Sequence, residues 1–405
     1  MMEEKERYIL VAVATENEED AWASLDELAD LLDTAGGEAA ESVVQNLAHP
    51  DPATYVGSGK ARQLGELVDA YEAAGIICDD ELSPVQMKNL SELADCKVLD
   101  RTMLILDIFA AHAVTKEGKI QVEMAQLKYR SAHLRGIGTA LSRLGGGIGT
   151  RGPGETKLET DRRAIGRRIS SLSAEIKQMK GVRETTRKSR QKSALPTFAI
   201  VGYTNAGKST LLNALTNADI LAEDKLFATL DPTTRVCQLP DGQEILFTDT
   251  VGFINKLPHH LIDAFRSTLE EARYADYIVH VIDSSDEHAA EHTRVVYRTL
   301  NDLEITGKPI LTVYNKIDKP TSDPQLFDDR AEKILRISAK SGQGLDAFLQ
   351  GVTDLLKESR VFVDELIPYK DTAKIAVIRK YGQLLTEEYE PEGIHITAYV
   401  PPMYQ

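Results

Sequence analysis

The chain has 405 residues, 42% hydrophobic and 27% charged, with a formal net charge of −16. That length exceeds one domain's usual size, and the composition is that of globular protein, which excludes a disordered or fibrous chain. No run approaches the roughly 18 apolar residues of a membrane helix. The run Tyr8 to Val13 is too short and too acidic at its flank for a signal peptide. Cys78, Cys96 and Cys237 lack metal spacing, so reduced thiols and a cytoplasmic location are the expectation.

From the start, apolar runs alternate with helical patterns. Tyr8 to Ala14, Ala40 to Leu47, Gly75 to Cys78 and Lys97 to Leu99 read as strands. Asp20 to Leu32, Lys60 to Ala74, Ser83 to Ala94 and Met103 to Ala113 read as helices. The alternation predicts an α/β domain over residues 1–113, built on a parallel sheet. Gly57-Ser58-Gly59-Lys60 opens one helix and has the physics of an anion cradle. It lacks the four-residue gap and the hydroxyl of a phosphate loop, so a plain turn into a helix is the favoured reading.

Residues 114–194 hold 19 Lys/Arg against 7 Asp/Glu, net +12 in a chain whose total is −16, leaving −28 for the rest. An acidic protein with one basic arm repels polyanions generally and meets one locally. Ile120, Met124, Leu127, Ser131 and Leu134 step by four and three, as do Ile165, Ile169, Leu172, Ile176 and Met179. These are coiled-coil seams and predict an antiparallel hairpin with arms from Glu117 to Leu134 and Glu155 to about Lys188. Between them runs a glycine-rich tip, read either as a flexible linker or as a stretch where backbone approaches a ligand closely and Arg135, Arg143 and Arg151 are candidates to contact RNA phosphates. Arg162, Arg163, Arg167 and Arg168 on the second arm are read as solvated surface or RNA contacts.

Residues 195–360 carry the chemistry. Gly202-Tyr203-Thr204-Asn205-Ala206-Gly207-Lys208-Ser209 lies between the strand Phe198 to Val201 and a helix that includes Thr210 and Leu211. Two glycines, a Lys and a hydroxyl at this spacing are a phosphate loop: backbone N–H groups and the helix N-terminus face phosphates, Lys208 reaches outer oxygens, and Ser209 offers its hydroxyl to Mg²⁺. Asp249-Thr250-Val251-Gly252 ends the strand Ile245 to Thr248, with a carboxylate for Mg²⁺ and a glycine N–H for a γ-phosphate. Asn315-Lys316-Ile317-Asp318 follows the strand Ile310 to Tyr314. The Asp318 carboxylate can accept from N1–H and the 2-amino group of guanine, donors that adenine lacks, so a buried Asp318 would select GTP. Ser338-Ala339-Lys340 can present an N–H to the guanine O6. Lys208, Asp249 and Gly252 are the candidate catalytic residues.

The motifs Gly152 to Arg163, Gly202 to Leu211, Leu226 to Arg235 and Asp249 to Ile254 closely resemble the HflX family of bacterial GTPases, and the resemblance spans nearly the whole chain. It implies a translation-factor-class GTPase on the large ribosomal subunit (50S) and its RNA, splitting or rescuing stalled ribosomes or assisting biogenesis. In that family the N-terminal region with its hairpin inserts toward the ribosome's functional centre, and adenine-nucleotide binding by the N-terminal domain has been proposed. The family pattern places the first switch at Phe227-Ala228-Thr229-Leu230-Asp231, with Thr229 the second Mg²⁺ hydroxyl; Thr233 and Thr234 stay open. Phe253 departs from the glutamine that orients water in many GTPases, so intrinsic hydrolysis should be slow. Asn205 stands where related GTPases coordinate K⁺, which motivates a K⁺-assisted rate.

Beyond Arg360, Val361 to Pro368, Thr372 to Tyr381, Gln383 to Tyr389 and Gly393 to Val400 read as strand, helix, strand, strand, a small α/β domain over 361–405. His259-His260 and the pair His288, His292 show no third metal ligand and are read as solvated histidines. The expected whole is a multidomain α/β monomer that hydrolyses GTP. Two alternatives stand beside it: a nucleotide-dependent docking switch with negligible hydrolysis, and an ATP-driven RNA remodeller working through the N-terminal domain.

Overall fold

The computed structural model describes residues 5–144, 153–191, 195–216, 226–227, 230–257, 269–320 and 327–400. The chain divides into two compact units. The first is Met1–Gly181 with Asp224–Asp231 and Lys256–Arg266; the second is Val182–Glu223, Pro232–Asn255 and Ser267–Gln405.

In the first unit, β1 (Arg7–Ala14) pairs in parallel with β2 (Glu38–Asn46) and β3 (Gly75–Cys78), and β4 (Lys97–Asp100) extends the sheet to the order β2-β1-β3-β4. A strand flanked on both edges and covered on both faces has no polar side, hence the unbroken apolar run Ile9-Leu10-Val11 at full burial. Helices α1 (Glu18–Thr34), α2 (Ser58–Ala70), α3 (Pro84–Ala94) and α4 (Arg101–His112) complete the expected parallel α/β arrangement. Asn17, Ser83 and Asp100 cap α1, α3 and α4 with side-chain oxygens, and Ser83 with Gln86 forms a capping box. At α2 the Gly57 N–H donates to Gln45 Oε1 at 2.9 Å, so this turn is a helix start tied to β2.

A buried ionic cluster sits at the carboxyl end of β3. Arg101, 1% exposed, bonds Asp79 at 2.7 Å and also pairs with Glu27, while Lys256 pairs with Asp79 and, at 2.8 Å, with Asp80. Burial alone would raise the Asp79 carboxyl; Arg101 and Lys256 hold it below its ordinary value. Asp231 accepts from the Thr115 N–H at 2.8 Å and its hydroxyl at 2.5 Å, and Phe227 meets Phe109 edge to face at 4.6 Å.

The hairpin is α5 (Lys116–Leu144) and α6 (Pro153–Gln191). Ile120, Met124, Leu172 and Ile176 form its buried seam, with Leu127, Ile169 and Met179 against it, as the four-and-three spacing predicts. The first arm does not stop at Leu134: it stays helical to Leu144, through Gly136 and Gly138. Interior glycines cost about 1 kcal/mol each, less than the run of helical hydrogen bonds that stopping early would forfeit. Arg135 and Arg143 are therefore on helix, not in a loop, and Arg151 is outside the described residues. On the second arm Arg168 forms two bonds to Glu123, at 2.7 and 2.9 Å, and Arg162 and Arg163 pair with Glu159. Three of the four second-arm arginines, Arg162, Arg163 and Arg168, thus already have carboxylate partners.

In the second unit, β5 (Thr197–Gly202), β6 (Thr233–Gln238), β7 (Glu244–Asp249), β8 (Tyr277–Asp283), β9 (Ile310–Asn315) and β10 (Lys333–Arg336) form one sheet in the order β10-β9-β8-β5-β7-β6, with only β6 antiparallel. Helices α7 (Lys208–Thr216), α8 (Ala289–Asp302) and α9 (Leu345–Glu358) accompany it, and Phe198, Phe247, Val279, Val313 and Phe348 are fully buried in its core. A second sheet, β11 (Val361–Ile367), β13 (Gly393–Val400) and β12 (Gln383–Glu390) in spatial order, is antiparallel, with α10 (Thr372–Tyr381) between β11 and β12 in sequence. Its packed face is Ile394, Ile396, Ala398 and Val400, every second residue of β13. Among the described residues no helix is long and apolar enough to cross a membrane.

Candidate nucleotide site

Strand β5 lies between β8 and β7, and its chain leaves toward α7 where the connections on the two sides diverge. In an open parallel sheet that crevice, at the carboxyl ends of the strands, is where ligands sit. Gly202 to Ser209 makes this turn, and the segments after β7, β9 and β10 supply the other predicted residues at the same sheet edge.

Lys208 opens α7 and is only 6% exposed, with Nζ donating to the Tyr203 carbonyl at 2.7 Å. Burial pushes its pKa down to about 8, against the upward pull of Asp249. Two glycines make room around it. Gly207 has φ +93°, and a Cβ there would fall 2.2 Å from Asn315 Nδ2; a Cβ on Gly252 would come 2.9 Å from Thr204 Cα and 3.0 Å from Lys208 Nζ. Thr204 Oγ1 is buried with no hydrogen-bond partner among the described residues. A desolvated ammonium and a buried hydroxyl beside backbone that tolerates no side chain suit phosphate oxygens. Ser209 Oγ donates to Asp249 Oδ2 at 2.7 Å, which joins a hydroxyl and a carboxylate as hard oxygen donors of the kind Mg²⁺ takes. The residues present therefore fit that ion.

The segment Asn315-Lys316-Ile317-Asp318 divides its contacts. Asn315 Nδ2 donates to the Ala206 carbonyl at 2.9 Å, its Oδ1 accepts from the Ala339 N–H at 2.9 Å, and its own carbonyl accepts from the Ser284 hydroxyl at 2.7 Å. One buried side chain so braces the phosphate loop against the Ser338-Ala339-Lys340 turn. Lys316, at φ +64°, pairs with Asp283 at 2.8 Å. Asp318 is exposed, not buried as the selectivity argument assumed, and the Ser338 hydroxyl holds its carboxyl below the usual range. Ser338 and Ala339 are buried and Lys340 is exposed.

Phe253 is 1% exposed and locked to the phosphate loop by its backbone: its N–H donates to Gly202 O at 3.1 Å and its carbonyl accepts from Thr204 N–H at 2.8 Å. Val251 is buried, and Thr250 gives its hydroxyl to Ile200 O at 2.8 Å, so both support the strand. Asn205 is exposed with φ +57°, and Thr210 lies in the first turn of α7. Phe227, Leu230 and Asp231 belong to the other unit, whereas Ala228 and Thr229 lie outside the described residues.

One grouping was missed by sequence reading. The His292 ring stacks on Tyr203, centroids 3.7 Å apart and 9° from parallel, and His292 Nδ1 lies 3.0 Å from Asp286 Oδ2. His292 is thus not a solvated helix-face histidine. Spacing along α8 could not reveal it, because the partner is 89 residues away. His259 and His260 lie outside the described residues.

Three family models match: "GTP-binding GTPase N-terminal" over residues 22–110, "GTP-binding GTPase Middle Region" over 112–190 and "50S ribosome-binding GTPase" over 197–316. The GTPase HflX of Lacrimispora saccharolytica is 57% identical over 401 residues, covering 99% of this chain and 95% of the relative. That of Caldanaerobacter subterraneus is 47% identical, covering 98% and 91%, and that of Escherichia coli 43% identical, covering 87% and 83%. With a phosphate loop at the sheet's switch point and relatives of this identity along almost its whole length, the chain belongs to the HflX family and is a GTPase.

Proposed function

We propose that the protein is a Mg²⁺-dependent GTPase that engages the large ribosomal subunit and its RNA, with ribosome splitting, rescue or biogenesis as the outcome. The observation that carries the site assignment is the convergence of Lys208, Gly252, Ser209 and Asp249 at the ends of β5 and β7. In this reading Gly202 to Thr210 surround the phosphates, and Lys208 places its charge on the outer oxygens. Gly252 offers its N–H to the γ-phosphate, Asp318 reads the guanine edge, and the Ala339 segment closes on O6. Ser209 and Thr229 would hold Mg²⁺, with Asp249 fixing the Ser209 hydroxyl; the bound ion supplies positive charge to the phosphoryl oxygens. Phe227 to Asp231 form the first switch. The proposed domains are 1–113, 114–194, 195–360 and 361–405, the second carrying Arg135, Arg143 and Arg151 toward RNA.

Buried Phe253 offers no side chain to a water, so basal turnover is slow and is raised by the partner and by K⁺ at Asn205. The ribosome reading is supported by the "50S ribosome-binding GTPase" model and by the +12 balance of residues 114–194. Two experiments test it. Co-sedimentation with 50S subunits is expected with a non-hydrolysable GTP analogue and to weaken with GDP; equal pelleting with both would remove the nucleotide switch. Turnover in K⁺ is expected to exceed that in Na⁺, and equal rates would remove the K⁺ role.

A further inference from the structure

The Tyr203–His292 stack bears on how a GTPase without a glutamine at position 253 holds its active-site backbone. Tyr203 touches both halves of the site. Its carbonyl accepts Lys208 Nζ at 2.7 Å, and its phenol oxygen accepts the Asn255 N–H at 2.7 Å, three residues beyond Gly252. Between these points Thr204 N–H bonds Phe253 O and Phe253 N–H bonds Gly202 O. The segment 252–255 is therefore fastened to the phosphate loop by three hydrogen bonds, and Gly252 sits so close to the loop that a Cβ would fall 2.9 Å from Thr204 Cα, with Lys208 Nζ beside it at 3.0 Å. The Tyr203 ring is the outermost of these fasteners, and His292 covers it.

His292 is itself held. Its Nδ1 lies 3.0 Å from Asp286 Oδ2, and Asp286 Oδ1 accepts the His288 N–H at 2.8 Å just before α8 begins. A ring fixed at one nitrogen and parallel to a tyrosine at 3.7 Å limits rotation of that tyrosine. We propose that His292, oriented by Asp286, is a positioning residue for GTP hydrolysis: it clamps Tyr203 so that Asn255, and with it Gly252, stay in register with Lys208. Where the second switch has no side chain to orient water, the placement of the Gly252 N–H depends on backbone held in this way. A misplacement of about 1 Å costs about 100-fold in rate.

The test uses the full-length protein, with GTP turnover and GDP affinity measured in parallel. His292→Ala is expected to lower kcat about tenfold, a fraction of that full misplacement, with KM for GTP and Kd for GDP within about twofold. His292→Phe, which keeps a stacking ring, should recover most of the rate. Tyr203→Phe keeps the stack and removes the phenol that Asn255 binds, so it should lower kcat as much as His292→Ala, and the double variant should be no worse than either. Unchanged kcat in His292→Ala would overturn the proposal. So would a loss of GDP affinity matching the loss of rate, which marks a loop that has simply unfolded, and so would failure of His292→Phe to recover activity while its melting temperature matches wild type.

Discussion

In the proposed site, Lys208 is the residue whose environment bears most directly on nucleotide affinity. Its pKa of about 8 means that the ligand-free protein begins to lose this charge just above neutral pH. Phosphates favour the charged form, so the complex keeps the proton and binding above pH 8 requires its uptake. GDP affinity is accordingly flat below about pH 7.5 and falls by up to about tenfold per unit above pH 8. Titration of Kd with pH checks this, with Lys208→Ala as the control that should bind weakly and lose the slope. Asp318 offers a second prediction. An Asn there reverses the donor–acceptor pattern facing the base, so Asp318→Asn should lower GTP affinity by about 100-fold or more and gain affinity for xanthosine triphosphate, whose C2 carries an oxygen. An unchanged preference would show that Asp318 does not read the base.

Individual site residues were legible to different degrees for a physical reason. Lys208, Ser209 and Gly252 are short-range motif residues, and their spacing alone puts them forward as a group. Asn315 was legible as part of the motif but not as the brace between Ala206 and Ala339, because a side chain's partners depend on which loops the sheet brings together. His292 was illegible altogether, since a stack between α8 and the phosphate loop leaves no periodic trace. Asp318 was expected to be buried because discrimination was argued from desolvation, yet it stands exposed beside Ser338.

Among the elements, those with a strong period were foreseen. The four strands of the first sheet and β5, β7 and β9 of the second fall within a few residues of their expected places, whereas no strand was expected at β6 or β8, and the hairpin seam is made of the residues that step by four and three. The end of α5 is not legible in the sequence, because glycine-rich sequence has the composition of a loop although helix propagation outweighs a small penalty per glycine. The seam is a short stripe, so each member matters. Leu172 is fully buried in it, and Leu172→Ala should destabilise the hairpin by about 2–5 kcal/mol, read as lost helical signal at a lower temperature in circular dichroism. A melting curve like that of wild type would mean that the two helices do not depend on this seam. The ionic cluster beneath α4 carries a larger stake. Arg101→Met strips Asp79 of its buried partner and should cost about 3–5 kcal/mol in urea unfolding, whereas a neutral result would place Asp79 in contact with solvent.

For the molecule as a whole, the charge distribution and the division into two units frame the proposed function. A net charge of −16 with a +12 segment suits a protein that meets one polyanion through one part of its surface. The segments Asp224–Asp231 and Lys256–Arg266 group with the first unit, while the chain on either side of each belongs to the second. Asp231 bonds to Thr115 at the start of α5 and Lys256 pairs with Asp79 and Asp80, so motion of either segment would disturb the sheet-and-hairpin unit. The measurement that bears most directly on the account is GTP turnover by the wild type and by Lys208→Ala, with and without purified 50S subunits, at fixed K⁺. The account predicts a slow basal rate that subunits raise severalfold or more in the wild type and not at all in Lys208→Ala. A wild-type rate that 50S subunits leave unchanged, or turnover that survives loss of Lys208, would contradict it.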